Sequence, residues 1–312
     1  MTYAIEVKNL TKTFGQYPAV NQVSFKVESG KIFALLGENG AGKTTTIHLL
    51  TTLLTPTSGE ILYNGTAAAK RSIRKQISVT GQFAALDEEL TGRENLEILG
   101  QLHSLSRKAA KAKALELLKQ FELEAAADKK VTNYSGGMKR RLDIAVSLLG
   151  DPKILFLDEP TTGIDPANRR RIWEMIDQLA KDSGMTIFLT TQYLEEAEVL
   201  ADFVTIMNQG KVIAEGSVDT LKKSLPESKI QLKFADKNIL ESAKKILAVE
   251  HLEELSENRL EIPVIEKVKK VSSIFTNLTS AGIAIEDIQL VEPTLEDVYL
   301  ELTRRGNHAV VS

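Results

Sequence analysis

Gly37-Glu38-Asn39-Gly40-Ala41-Gly42-Lys43-Thr44 follows the apolar run Ile32-Phe33-Ala34-Leu35-Leu36 and precedes the helix-like Thr45-Thr46-Ile47-His48-Leu49-Leu50. Strand, glycine-rich loop and helix in this order form the setting of a phosphate-binding loop. Glycine permits backbone conformations that a Cβ disfavours, so successive N–H groups can converge on phosphate oxygens at the positive end of the next helix. The residues assigned to phosphate contact are Gly37, Asn39, Gly40, Ala41, Gly42, Lys43, Thr44 and Thr45. Lys43 reaches the β- and γ-phosphates, and the Thr44 hydroxyl is placed to ligate Mg²⁺. A glycine turn with an incidental lysine is the bland alternative, and the flanking strand and helix argue against it.

Outward from this loop, composition sets the limits. A chain of 312 residues is long enough for two domains, since single cores stop growing near ~250–300 residues. Its apolar share of 43% is ordinary, and a net charge of −3 gives no electrostatic reason to expect nucleic acid or an anionic membrane surface as a partner. The basic runs Lys139-Arg140-Arg141 and Arg169-Arg170-Arg171 read as solvated or partner-facing helix positions. Absence of cysteine excludes disulfides, thiol catalysis and cysteine-ligated metal centres. His48, His103, His251 and His308 show no ligand spacing and read as structural or surface residues. No apolar run approaches the ~20 residues of a membrane helix, and the N-terminus lacks a signal-peptide pattern, so a membrane role has to come through a partner chain.

Ahead of the loop, Tyr3–Lys8 and Gln22–Val27 alternate apolar and polar residues, as half-buried strands do, and predict an antiparallel piece beside the nucleotide. Between them lie Phe14 and Tyr17; either ring could stack on a base, and core packing is the competing role for Phe14. Beyond the loop helix, Glu60–Gly65 reads as a strand ending in Asn-Gly, residues 70–76 as a basic helix, and Ile77–Val79 as a short strand leading to Gly81-Gln82. From about 84 to 150 the chain becomes rich in Leu, Ala, Lys and Glu with helical period, which predicts a helical subdomain set into an α/β core.

That insert ends in Tyr134-Ser135-Gly136-Gly137-Met138, where a hydroxyl and open amides precede a helix. It is either a second anion site, without a lysine, or an ordinary loop-to-helix junction. Lys153–Pro160 is then an apolar run ending in Asp158-Glu159, as a buried parallel strand would. Beside a phosphate loop the first acid suits Mg²⁺ and the second suits the orientation or deprotonation of water. Asp165-Pro166 opens a helix carrying Trp173, which reads as core. Thr186–Thr190 is another buried strand ending at Thr191-Gln192, and Phe203–Met207 with Lys211–Ala214 flank Asn208-Gln209-Gly210 as a hairpin. Past Leu225-Pro226-Glu227-Ser228 the order strand, helix, two strands, helix, strand, helix predicts a small ferredoxin-like domain with no chemistry of its own.

Phosphate loop, Gln82, Ser135-Gly136-Gly137, Asp158-Glu159 and Asp165 occur in the order and spacing of the ABC transporter ATPases, and the resemblance covers about residues 3–220. Three further stretches, Gly81–Asn95, Thr190–Ala197 and Pro293-Thr294-Leu295-Glu296-Asp297-Val298-Tyr299-Leu300, resemble the daunorubicin-resistance type of ATP-binding subunit. The resemblance implies a RecA-like α/β core with an antiparallel β subdomain and a helical subdomain in residues 1–224. A C-terminal α+β regulatory or interface domain would occupy 225–312. It implies ATP and Mg²⁺, with Phe14 stacking on adenine and Tyr17 in reserve. Thr44, Gln82 and Asp158 would surround the metal, with Glu159 as catalytic carboxylate and Gln192 and Gln82 beside the reacting phosphate.

The resemblance also implies a head-to-tail homodimer, in which Ser135, Gly136 and Gly137 of one subunit close over nucleotide held by the other and Asp165 crosses the interface. A polytopic permease would receive the motion at a groove near residues 83–96, with the subunit peripheral on the cytoplasmic face of the membrane. Cargo would be a drug, antibiotic or lipid, exported. Two departures stand out. Gln192 occupies the position of the usual switch histidine, and Tyr134 and Met138 replace the usual Leu and Gln. A ribosome- or DNA-acting ATPase of the same class fits poorly, since the chain has one cassette, no sustained heptads and no basic balance. A low-turnover nucleotide sensor is the remaining alternative, separable by steady-state phosphate release.

Overall fold

The computed structural model describes residues 2–67, 70–81, 86–223, 228–247, 252–255, 258–264 and 267–308. The chain divides into two compact units, Met1–Val218 and Asp219–Ser312. The expected joint at Leu225-Pro226-Glu227 lies outside the described residues.

The first unit opens with a hairpin of β1 (Tyr3–Phe14) and β2 (Tyr17–Glu28), then β3 (Ile32–Leu36), α1 (Lys43–Leu50), β4 (Ser58–Tyr63), α2 (Lys70–Ile73) and β5 (Ile77–Thr80). The helical insert supplies α3 (Gly92–Leu102), α4 (Arg107–Gln120) and α5 (Gly136–Ser147). The core resumes with β6 (Ile154–Asp158), α6 (Pro166–Ser183), β7 (Thr186–Thr191), α7 (Leu194–Leu200), β8 (Phe203–Asn208) and β9 (Lys211–Gly216). A six-stranded sheet runs β5-β6-β7-β3-β8-β9, parallel except for β9, and a three-stranded antiparallel sheet runs β2-β1-β4.

The first two strands are 12 residues each, longer than their alternation predicts, and close at Phe14 opposite Tyr17. Register shifts near Val7, Leu10 and Lys12 break the period of two, which is why a strict alternation reading stops early. Strands β3, β6 and β7 are buried along their whole length, as parallel strands covered on both faces must be. Phe33 and Phe188 stack on each other at a centroid distance of 5.1 Å and both meet Phe25 of β2, at 5.1 and 5.9 Å, while Phe156 meets Phe188 at 5.4 Å, joining the two sheets into one core. In the insert, Thr91 and Glu94 form a reciprocal capping box that fixes where α3 starts.

The basic runs correct the sequence reading in part. Arg170 and Arg171 are exposed, but Arg140 and Arg141 are withdrawn from solvent, with side chains 11% and 7% accessible. Arg141 donates to Phe121 O at 3.0 Å, bonding α5 to the end of α4. Trp173 is core as expected, with its Nε1 on Glu196.

The second unit follows α8 (Val218–Lys223) with β10 (Ser228–Lys233), α9 (Lys237–Leu247), β11 (Glu253–Leu255), β12 (Arg259–Val264), α10 (Lys267–Ser280), β13 (Asp287–Val291) and α11 (Leu295–His308). Its antiparallel sheet runs β11-β12-β10-β13, the split arrangement of a ferredoxin-like fold. Ile230, Leu232, Leu260 and Ile262 bury one face of that sheet with Leu240, Ala243, Ile274 and Leu278 of its two crossover helices.

Candidate active site

The loop after β3 is shaped by close backbone approach. A Cβ on Gly37 would stand 2.3 Å from Met207 O, and one on Gly42 would stand 2.3 Å from Ala19 O, so neither position admits another residue without movement. Gly42 also has φ of +105° at the N-terminus of α1, which has no side-chain cap. The first-turn amides therefore keep the positive end of the helix open to an anion.

Lys43 is buried at the base of this loop. Its ammonium donates to Gly37 O at 2.8 Å and Glu38 O at 3.0 Å, and it pairs with Glu159 Oε1 at 3.3 Å. Thr44 Oγ1 donates to Asp158 Oδ1 at 3.3 Å, and Thr190 Oγ1 donates to the same oxygen at 2.5 Å. β7 lies between β3 and β6, so Thr190, opposite Leu35 on one side and Asp158 on the other in the parallel register, bridges the strand that leads into the phosphate loop to the acidic strand. Glu159 is 9% exposed and adopts φ of +48°. Its N–H reaches Thr190 O and Thr190 Oγ1, both at 3.1 Å, and its Oε2 accepts from Thr162 Oγ1 at 3.2 Å.

A second cluster forms at the N-terminus of α5. Ser135 is its cap, accepting from Met138 N–H at 3.3 Å, with Gly136 exposed beside it. Gly137 packs against Asn168, whose amide and N–H both donate to Asp165, at 2.7 and 3.1 Å. Those bonds hold the Asp165 carboxyl below its usual range. Asn168 is a residue that motif reading missed; its signal was the Asp-x-x-Asn spacing of a helix cap. Arg140 is another, and it links α5 to the end of β6.

Phe14 and Tyr17 stand at the closed end of the hairpin, 48% and 59% exposed, which removes core packing as the role of Phe14. Lys12 Nζ lies 5.3 Å from the Phe14 ring. Gln192 is half-buried after β7, next to Thr191, whose carbonyl accepts from Gly37 N–H at 3.2 Å. Gln82 lies outside the described residues. A cavity of 630 Å³ lined by Phe25, Phe33, Phe203 and Lys31 sits at the opposite ends of β3 and β8 from the phosphate loop. Lys31 there is already paired with Asp202 at 2.9 Å.

Taken as chemistry, the first cluster offers anion-binding amides, a movable ammonium, hydroxyl and carboxylate oxygens suited to a hard cation, and a second carboxylate one residue on. The family described as ABC transporter matches residues 20–162, and the family described as ATP-binding protein DrrA1-3-like, C-terminal domain, matches residues 216–303. The chain is 42% identical over 303 residues to the daunorubicin resistance ATP-binding protein DrrA3 of Streptomyces coeruleorubidus, covering 96% of each. It is 35% identical over 308 residues to the linearmycin resistance ATP-binding protein LnrL of Bacillus subtilis, covering 96% of this chain and 98% of that one. Among solved structures it resembles a dimeric ATP-binding cassette in a post-hydrolysis state bound to ADP and Pi. That match has a TM-score of 0.60 and 27% identity, covering 68% of this chain and 98% of that one.

Proposed function

The chain belongs to the ABC transporter family of ATP-binding, ATP-hydrolysing subunits, and from that premise we propose that it powers export of an antibiotic-like or lipid-like compound through a separate membrane permease. The observation that carries the site assignment is the convergence of Lys43, Thr44, Thr190, Asp158 and Glu159 in one buried network. The cargo class is supported by the daunorubicin and linearmycin resistance named for two relatives.

In this reading Phe14 stacks on adenine, and the open amides of α1 and its loop hold the phosphates. Lys43 exchanges its carbonyl partners for phosphate oxygens. Thr44, Asp158 and Gln82 are the residues that would hold Mg²⁺. A hydroxyl and a carboxylate already sharing one oxygen contact fit a cation that takes few protein ligands beside phosphates. Mg²⁺ supplies neutralisation of charge on the transferred phosphoryl group. Glu159 orients the attacking water and takes its proton, while the Gln192 amide donates to a γ-phosphate oxygen.

Two subunits pair head to tail, so that Ser135, Gly136 and Gly137 of one complete the nucleotide site of the other, with Asp165 at the interface. This accounts for an anion-suited helix N-terminus that has no lysine of its own. ATP favours the closed pair, and hydrolysis releases it, which moves the permease between its two states. Among the described residues no helix is long and apolar enough to cross a membrane, consistent with a subunit held peripherally on the cytoplasmic face by its permease.

The test is a pull-down from detergent-solubilised native membranes with tagged Glu159→Gln protein and Mg-ATP, read by mass spectrometry. A polytopic membrane protein in near-equal amount is expected. Ribosomal or chromosomal proteins without a membrane partner would overturn the reading.

A further inference from the structure

Arg140 sits one turn into α5, its side chain 11% accessible, and every donor nitrogen of its guanidinium is engaged. Nε donates to Pro160 O at 2.8 Å, Nη2 to Asp158 O at 3.1 Å, and Nη1 to Gly81 O at 2.9 Å and Asp143 Oδ2 at 3.0 Å. Two of these carbonyls belong to the residues immediately before and after Glu159, and the third belongs to the residue immediately before Gln82. Glu159 itself holds φ of +48°, a conformation that is strained for a residue with a Cβ and persists only where neighbours enforce it.

We propose that Arg140 is a positioning residue for ATP hydrolysis: it clamps the carbonyls of the residues on both sides of Glu159, and so ties the aim of that carboxylate to helix α5 and its Ser135-Gly136-Gly137 terminus. The proposal rests on the reading of Glu159 as the catalytic carboxylate. A planar fork is needed because the acceptors lie on three separate stretches of chain. A lysine ammonium concentrates its donors at one point and cannot span them. The charge itself is met by Asp143, so geometry is what the site demands of this residue. The clamp also gives a route by which α5, closing on a neighbouring subunit's nucleotide, adjusts the carboxylate that serves its own.

The experiment measures kcat and KM for Mg-ATP, together with affinity for a fluorescent, slowly hydrolysed ATP analogue. The proteins are wild type, Arg140→Lys, Arg140→Gln, Glu159→Gln and the Arg140→Lys/Glu159→Gln double variant. Arg140→Lys is expected to lower kcat by about 10–100-fold, the scale of an ångström-level misplacement, with analogue affinity within about twofold because the phosphate loop is untouched. In the Glu159→Gln background the same change is expected to alter the residual single-turnover rate by less than about twofold, since its effect runs through a carboxylate already removed. Unchanged kcat in Arg140→Lys, an affinity loss matching the rate loss, or an equal rate loss in both backgrounds overturns the proposal. So does failure of both Arg140 variants to fold, which marks a purely structural role. Wild-type turnover in Glu159→Gln alone would instead remove the reading of Glu159.

Discussion

Lys43 of the phosphate loop and Glu159 at the end of β6 form a buried ion pair, 3.3 Å between Nζ and Oε1, with side chains 4% and 7% exposed. Residues 116 apart in sequence are thus joined at the base of the loop, where the proposed mechanism brings phosphate and water together. Removing one partner from a buried pair leaves an uncompensated charge, at a cost of about 3–5 kcal/mol. Lys43→Met should therefore lose ATP binding and also fold less stably. Adding Glu159→Gln should recover most of the stability and none of the binding. Urea unfolding of the two single variants and the double reads this, and additive losses would contradict the pairing.

In the proposed mechanism the group beside the γ-phosphate is the amide of Gln192, where an imidazole would titrate near neutral pH. A primary amide donates at every pH in this range, so hydrolysis should carry no imidazole-like step. The pH profile of kcat for wild type should be flat between about pH 6 and 8, and Gln192→His should introduce a step near the histidine value of about 6.5. A step in wild type that disappears in Gln192→Ala would contradict the assignment.

The parts of the site that sequence made legible are those built from neighbours in the chain. The loop from Gly37 to Thr44 and the pair Asp158-Glu159 carry their geometry locally, in a helix N-terminus and a strand end. Thr190 was not legible as a partner of Asp158, because its role depends on β7 lying between β3 and β6 with Asp158 opposite Thr190. With its basic neighbours Arg140 reads from sequence as a solvated or partner-facing helix position, as charge runs usually do. Only the packing of α5 against the end of β6 shows that its fork has carbonyls to meet. Alternation stops short of the hairpin's full length because bulges interrupt it, whereas continuous apolar runs, which have no phase to lose, mark the buried strands at nearly their true bounds.

Glu196 of α7 is fully buried, its Oε1 accepting from Thr161 Oγ1 at 2.7 Å and Trp173 Nε1 at 2.9 Å. Burial pushes its carboxyl above the usual 4.5, with hydrogen bonds from Thr191, Thr161 and Trp173 opposing the rise. The folded state then holds this proton more tightly than the unfolded chain. Its contribution to stability is fully present below pH 4.5 and is lost as pH rises through the raised folded value. Glu196→Gln cannot ionise, so its melting temperature relative to wild type should climb from about pH 5 upward. A difference constant across the series would show that the carboxyl does not carry the pH dependence.

Tyr134, immediately ahead of Ser135, has room only because residue 92 is glycine. Its hydroxyl donates to Ala126 O at 2.8 Å, and a Cβ built on Gly92 would stand 2.2 Å from the Tyr134 hydroxyl oxygen and 3.1 Å from its Cζ. The ring is buried, so it cannot swing away without opening the junction between α3 and the Ser135 loop. Gly92→Ala should cost about 1–3 kcal/mol as an overpacking change. Tyr134→Phe alone should cost about 1 kcal/mol for a lost hydrogen bond, and more if the Ala126 carbonyl finds no other donor. Combined, the two should cost less than their sum, because deleting the hydroxyl removes the nearest clashing atom and leaves Cζ with a few tenths of an ångström to yield. Thermal and urea unfolding of the three variants decide it, and strict additivity would mean that Gly92 is required for another reason.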